Sequence, residues 1–162
     1  MLCFSYGSNM SVARLQDRVP SARFVAVATL EAHSLRFHKV SKDGSGKCDA
    51  EETGNPEDQV IGVVYEISDV ERPDLDRKEG LGSGYEAKEV EVTTDQGKLT
   101  VIMYFATRVD SALKPYAWYK KHVLVGAREN GLPFEYIAQI EEVEAISDPD
   151  TTRHERELTI YR

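Results

Sequence analysis

The apolar pattern of this chain keeps a strand-like rhythm through its middle and turns helical in its last third, and that order restricts the folds open to it. Leu2 to Ser5 reads as a short strand. Phe24 to Leu30, nearly all apolar, and Ser34 to Val40, mixed, read as two more. Val60 to Ile67 has the composition of a central strand. Glu86 to Thr94 and Lys98 to Ala106 are strands joined by the hairpin signature Asp95-Gln96-Gly97. Helical spacing first appears in Val12, Leu15 and Val19, behind the cap residue Ser11 and ahead of Pro20. A charged helix starts at Ser68-Asp69, carries Leu75, tolerates Pro73 in its first turn and ends near Gly80. Later, Pro115 opens a helix with Tyr116, Tyr119, Val123 and Ala127 on one stripe. Pro133 opens another with Phe134, Ile137 and Ile140 on its apolar face and Val143 as a further candidate. Strands in the middle and helices at the end argue for an α+β fold rather than a doubly wound sheet.

Between these elements, residues 41–58 are polar and Gly-rich, with Lys42-Asp43-Gly44-Ser45-Gly46 and Gly54-Asn55-Pro56. They read as a long loop with at most a brief strand near Cys48, a functional rim or lid in type. No internal repeat or linker divides the chain, so residues 1–147 are expected to form one domain and 148–162 a charged, peripheral tail. A length of 162 residues with 41% hydrophobic content suffices for one sizeable core. No apolar run reaches membrane-spanning length, and no basic segment followed by a hydrophobic one marks a signal peptide. Cys3 and Cys48 are too few for a disulfide framework, so a cytoplasmic protein with free thiols is expected. A net charge of -8 argues against a nucleic-acid partner, which needs a basic footprint.

Two short runs carry the chemistry. Tyr6-Gly7-Ser8-Asn9 follows the apolar Leu2-Cys3-Phe4 and precedes a helix, and a strand that breaks there leaves backbone N–H groups unpaired and aimed one way. Glu79-Gly80 sets a carboxylate at a helix C-terminus, where the dipole already places partial negative charge. Each run alone is most often structural, a turn with a helix cap in one case and surface charge with a C-terminal cap in the other. Their joint occurrence with a third run, Tyr119-Lys120-Lys121-His122 followed by Gly126 to Pro133, reverses that weighting. Pro133 and Asn130-Gly131 are themselves helix boundaries. Other chemistries lack support: Ser8 has no Gly-x-Ser-x-Gly elbow, His33, His38, His122 and His154 have no metal-ligand spacing, and Cys3 has no nearby His and reads as buried.

The loop Tyr6-Gly7-Ser8-Asn9-Met10, the segment Leu75 to Gly80 followed by Tyr85 and Val90-Glu91-Val92, and the C-terminal run Tyr119 to Pro133 together resemble the gamma-glutamylcyclotransferases. The resemblance spans nearly the whole chain. It implies a small mixed β-barrel flanked by helices in a single domain, with the site at the barrel mouth. It implies conversion of a gamma-glutamyl compound to 5-oxoproline and a free amine or amino acid, with no cofactor and no metal. By position it makes Glu79 the catalytic acid/base. It assigns Cys3, Phe4, Ser5, Tyr6, Gly7 and Ser8, with Asn9 close by, to the gamma-glutamyl moiety, and Tyr119 to ligand contact with Tyr85 as a neighbour. The expected partner is thus a small-molecule gamma-glutamyl substrate, and a homodimer is mildly favoured. Tyr-Gly-Ser-Asn differs from the Tyr-Gly-Thr-Leu and Tyr-Gly-Ser-Leu loops that resemble the amine- and glutathione-specific branches. Gamma-glutamyl amino acids or dipeptides are therefore the expected substrates, with the leaving half read by residues 41–58. The alternatives are another gamma-glutamyl donor, such as glutathione or a gamma-glutamyl amine, and a non-catalytic binding or regulatory module of the same fold.

Overall fold

The computed structural model describes residues 1–162. Its elements run β1 (Leu2–Ser5), α1 (Val12–Arg18), β2 (Arg23–Glu31), β3 (His33–Val40), β4 (Gly46–Glu52), β5 (Gln59–Glu66), α2 (Arg72–Glu79), β6 (Tyr85–Thr94), β7 (Gly97–Ala106), α3 (Ala117–Glu129), α4 (Phe134–Glu141) and α5 (Thr151–Leu158). Five strands close into a barrel in the order β1-β5-β2-β6-β7. Neighbours are antiparallel except where β1 meets β7 in parallel, Cys3 opposite Ile102, and seals the ring. Closure removes the free sheet edges of those strands. This is the α+β mixed barrel that the resemblance implies. No helix is long and apolar enough to cross a membrane.

The near-continuous apolar run of β5 is buried over most of its length, as a central strand requires. Barrel and helices share one core, in which Phe4, Leu15, Tyr65, Leu75, Met103 and Val123 are all sealed from solvent. Ser11 caps α1 by accepting a hydrogen bond from the Arg14 N–H at 3.4 Å, and Pro73 sits in the first turn of α2, where its missing N–H costs no helical bond.

Two expectations change. Residues 41–58 are not mainly loop: β4 occupies seven of them and pairs with β3 along most of its length. Its sequence looks polar, yet Cys48, Asp49 and Ala50 are buried. Asp49 can be buried because it has partners, accepting from the Ala106 N–H at 2.8 Å and lying 2.7 Å from His38 Nε2. A polar strand that satisfies itself internally gives no hydrophobic signal. Phe134, placed on the apolar face of α4, is instead 82% exposed. The buried stripe runs through Tyr136 and Ile140, and a residue two positions ahead of Tyr136 lies about 200° around the helix, on the outside.

The charged segment after Ser147 forms α5 and reaches into the domain. Arg153 holds Asp148 by hydrogen bonds of 2.5 and 2.6 Å, and the Trp118 indole donates to the same carboxylate at 2.8 Å. Arg153 keeps Asp148 well below the usual carboxylate range. On the facing side, Arg14 donates to Glu157 at 2.8 Å, and the Tyr161 hydroxyl lies 2.6 Å from His122 Nδ1 and 3.0 Å from Ser11 Oγ. His122, fully buried, is pushed down by desolvation, whereas His122 and Arg14 bring Glu157 down to about 2. Both shifts have the same consequence in acid. The Glu157 contribution is present above its ordinary value of 4.5 and is lost as the pH falls toward 2, and that of neutral His122 is complete above 6.5 and fades as the pH falls below it. We expect Glu157→Gln to lower the melting temperature at pH 7 and the gap from wild type to narrow steadily between about pH 4.5 and 2. A gap independent of pH in thermal melts would show that this ion pair does not anchor α5.

Candidate active site

Where β1 ends, the chain turns through Tyr6 and Gly7 into a 3-10 turn at Ser8–Met10 and then into α1. This is the predicted strand-turn-helix. The Gly7 N–H donates to no backbone carbonyl, and Ser8 and Asn9 open the turn, where no preceding helical carbonyl is available to their N–H groups. The loop is clamped from behind by α3. A Cβ placed on Gly126 would stand 2.5 Å from the Met10 carbonyl carbon, its Cβ and the Ser11 nitrogen, so only glycine lets the helix approach this closely. Asn130 Nδ2 then donates to the Met10 carbonyl at 3.1 Å, and the Tyr65 hydroxyl donates to it at 2.7 Å. The Glu129 carboxylate accepts from the Val12 N–H at 2.8 Å. The third sequence run, read as helix boundaries, thus also holds the loop.

Facing the loop is Glu79, the last residue of α2, followed by Gly80 in the left-handed conformation that ends the helix. Its carboxylate accepts a short hydrogen bond from the Asn9 amide and lies 3.9 Å from the Arg18 guanidinium. One hydrogen-bond donor and one nearby cation therefore hold an acid that the helix dipole disfavours at this end. The Asn9 Oδ1 atom is buried beside it without a hydrogen-bond partner.

Between Glu79 and the loop lies a small pocket of about 380 Å³, a volume that includes the open solvent at its mouth. Cys3, Phe4, Ser5, Tyr6, Gly7, Ser8, Asn9, Glu79 and Tyr119 all line it. Every site residue named from the sequence is thus brought to one cavity. Gly7 is required there by proximity. Its φ of -116° lies outside the left-handed region, but a Cβ would fall 2.8 Å from Cys48 Cβ and 3.3 Å from the Tyr119 hydroxyl. The walls are fixed by phenols that bind backbone. Tyr119 accepts from the Cys48 N–H at 2.9 Å, Tyr85 donates to the Cys48 carbonyl at 2.6 Å, and Tyr6 donates to the Tyr104 carbonyl at 2.5 Å. Burial pushes the phenols of Tyr6, Tyr85 and Tyr119 well above their ordinary value, and raises the Cys3 and Cys48 thiols to about 12. At neutral pH the wall is uncharged, its thiols are poor nucleophiles, and Glu79 is the carboxylate lining the cavity.

An AIG2-like family profile matches residues 59–140 of the chain. Gamma-glutamylcyclotransferase from Homo sapiens is 40% identical over 149 residues, spanning 88% of this chain and 78% of the human protein. The Mus musculus protein of the same name is 39% identical over the same shares. A solved structure of a gamma-glutamyl cyclotransferase superposes with a TM-score of 0.82 at 33% identity, covering 96% of this chain and 98% of that one. This chain belongs to the gamma-glutamylcyclotransferase family.

Three residues in or beside this cavity were not assigned from the sequence. Cys48 lies on β4, whose polar composition hid the strand. Tyr104 lies on β7, and its hydroxyl donates a short hydrogen bond to Asp76 of α2, tying the helix that ends in Glu79 to the barrel. Arg18 lies in the last turn of α1, 3.9 Å from the Glu79 carboxylate. None had a local signal, because each acts through a neighbour distant in sequence. The packing of α3 on the loop is directly testable. Gly126→Ala is expected to cost about 1–3 kcal/mol by overpacking, a fall of roughly 2–12 °C in melting temperature for a chain of this size. An unchanged melting temperature in calorimetry would mean that α3 does not press on Met10 as closely as described.

Proposed function

We propose that this protein is a gamma-glutamylcyclotransferase that closes gamma-glutamyl amino acids or dipeptides to 5-oxoproline, with Glu79 as its single acid/base. What supports this most is the Glu79 carboxylate, hydrogen-bonded to Asn9 across a small pocket floored by free N–H groups, in a chain of this family. In such a substrate the nucleophile is its own α-amine and the target its own γ-carbonyl carbon. Ring closure is intramolecular, so the task of the protein is to hold a folded near-attack conformer, and the rigid tyrosine wall suits that task.

The steps balance without an enzyme nucleophile. The α-ammonium, with a pKa of about 8, docks against Glu79 and the unpartnered Asn9 Oδ1 and gives one proton to the carboxylate. The amine attacks the γ-carbonyl carbon, and the new C–N bond closes the five-membered ring. The N–H groups at Gly7 to Asn9 stabilise the charge that develops on the carbonyl oxygen. Glu79 then returns its proton to the leaving nitrogen as the original amide C–N bond breaks, and the second proton lost by the ring nitrogen passes to the departing amine, releasing 5-oxoproline and a free amine in its ammonium form. Arg18 and Asn9 keep the carboxylate aimed throughout.

Glu79→Gln keeps the shape and removes the proton acceptor. Turnover is expected to fall by several orders of magnitude with folding and 5-oxoproline binding retained, and mass spectrometry should detect no acyl-enzyme at any stage. Near-wild-type turnover in this variant, scored as 5-oxoproline release from a panel of gamma-glutamyl donors, would sink the mechanism. Gly7→Val tests the floor of the site. Its side chain needs the space held by Cys48 and the Tyr119 hydroxyl, so 5-oxoproline affinity should weaken at least tenfold, by more than the stability loss accounts for. Unchanged affinity by calorimetry in a folded Gly7→Val protein would remove the loop from the binding site.

A further inference from the structure

Lys39, on β3, is 91% buried in an acidic protein and yet has no carboxylate or hydrogen-bond acceptor on its ammonium. It stands 4.5 Å above the ring of Tyr85, whose edge lines the pocket, and it packs so closely on Gly84 that a Cβ there would fall 3.0 Å from Nζ. Burial pushes this ammonium down from its ordinary value. Among the surrounding charges Glu79 opposes that most strongly, Asp43 less so, and Lys42 and Arg108 add to it. Asp43 is already committed, receiving hydrogen bonds from Lys47 Nζ at 2.8 Å and from the Ser45 hydroxyl at 2.6 Å. Behind Tyr85, a wall of the pocket, the Lys39 ammonium thus stands without a paired carboxylate, although the chain as a whole carries a charge of -8.

The reaction assigns a use to this side. Glu79 hands a proton to the leaving nitrogen, so that nitrogen must stand against Glu79. In a leaving amino acid the carboxylate is attached to the carbon next to the nitrogen. Whatever recognises it has to lie within a few ångströms of the Glu79 carboxylate and carry positive charge. Arg18 is engaged by Glu79 itself, which leaves Lys39. We propose that the Lys39 ammonium, stacked on Tyr85, which lines the same cavity as Glu79, is a subsite for the α-carboxylate of the leaving amino acid. The proposal rests on the cyclotransferase reading and narrows it. The preferred substrates are gamma-glutamyl amino acids with a free carboxylate next to the scissile amide, and neutral gamma-glutamyl amines are poor ones.

The test compares two substrates of the same shape, gamma-glutamyl-alanine and gamma-glutamyl-alaninamide. Wild type should prefer the free acid by roughly ten- to hundredfold in kcat/KM, as expected for one charge-assisted contact. Lys39→Met should collapse that ratio toward one, and Lys39→Arg should restore most of it. A lysine that only packs on Tyr85 would change stability without moving the ratio. Wild type that does not discriminate, or a ratio unmoved in Lys39→Met, overturns the proposal, and the wild-type comparison stands even if that variant does not fold. Direct binding separates this outcome from a failure of the reaction. In Glu79→Gln, calorimetry should show the acid binding tighter than the amide, and Lys39→Met in that background should remove the difference. Discrimination in binding with no turnover by wild type would uphold the subsite and overturn the cyclotransferase reading. Turnover without discrimination would do the reverse.

Discussion

The contact between Gly126 and Met10 is the one on which the site depends. It lets α3 press its backbone against the loop after β1, and it brings Asn130 onto the Met10 carbonyl that Tyr65 binds from the barrel side. A single carbonyl oxygen with two lone pairs thus joins helix, loop and sheet. The same approach sets Tyr119, seven residues back along α3, against Gly7 and the Cys48 N–H. Shape at one glycine is converted into shape at another through two turns of helix. With the loop fixed this way, Gly7, Ser8 and Asn9 are held against the cavity, and the Gly7 N–H has no backbone acceptor.

Opposite this rigid half, α2 is a surface helix with Leu75 as its buried residue, and its end needs other means of support. Tyr104 bonds Asp76 from the barrel, and Asn9 and Arg18 bond or face Glu79. Propensity does not place a carboxylate at a helix C-terminus, so these partners hold it there. A residue set against the helix dipole and then held by neighbours from elsewhere in the chain is the pattern expected when local preference yields to a site.

Much of this was legible in the sequence because the signals are local. A strand, a Gly-Ser-Asn turn and a Ser cap occupy ten consecutive residues, and Glu79-Gly80 announces a helix end by itself. The barrel order was not legible from spacing: the pairing of β1 with β7 joins Cys3 to Ile102, and it came only with the family resemblance. β4 escaped because its buried face carries Asp49, whose burial depends on Ala106 and His38, and no window of sequence shows those partners. Phe134 was misplaced for a simpler reason. Its apolar character matched the pattern, but its angle around the helix did not match Tyr136 and Ile140. Tyr104 and Arg18 were missed because each acts through a residue far away in the chain.

The two halves of the cavity also differ in what they can recognise. The loop side offers backbone N–H groups and neutral phenols whose hydroxyls bind backbone, and little there can change between relatives without disturbing Gly7, Gly126 or the Met10 carbonyl. The β3–β4 side carries long cationic side chains instead: Lys39 over Tyr85, and Lys47 at 4.5 and 4.6 Å from the Trp118 and Tyr119 rings. A gamma-glutamyl group is the same in every substrate of such an enzyme, whereas the leaving half is not. Putting the invariant half against backbone and the variable half against a two-stranded hairpin outside the barrel lets specificity change without touching the fold. The hairpin can do this at positions such as Lys39, because its strands pair with each other outside the barrel ring, whereas Cys48 and Asp49 of β4 are tied to the tyrosine wall and to β7.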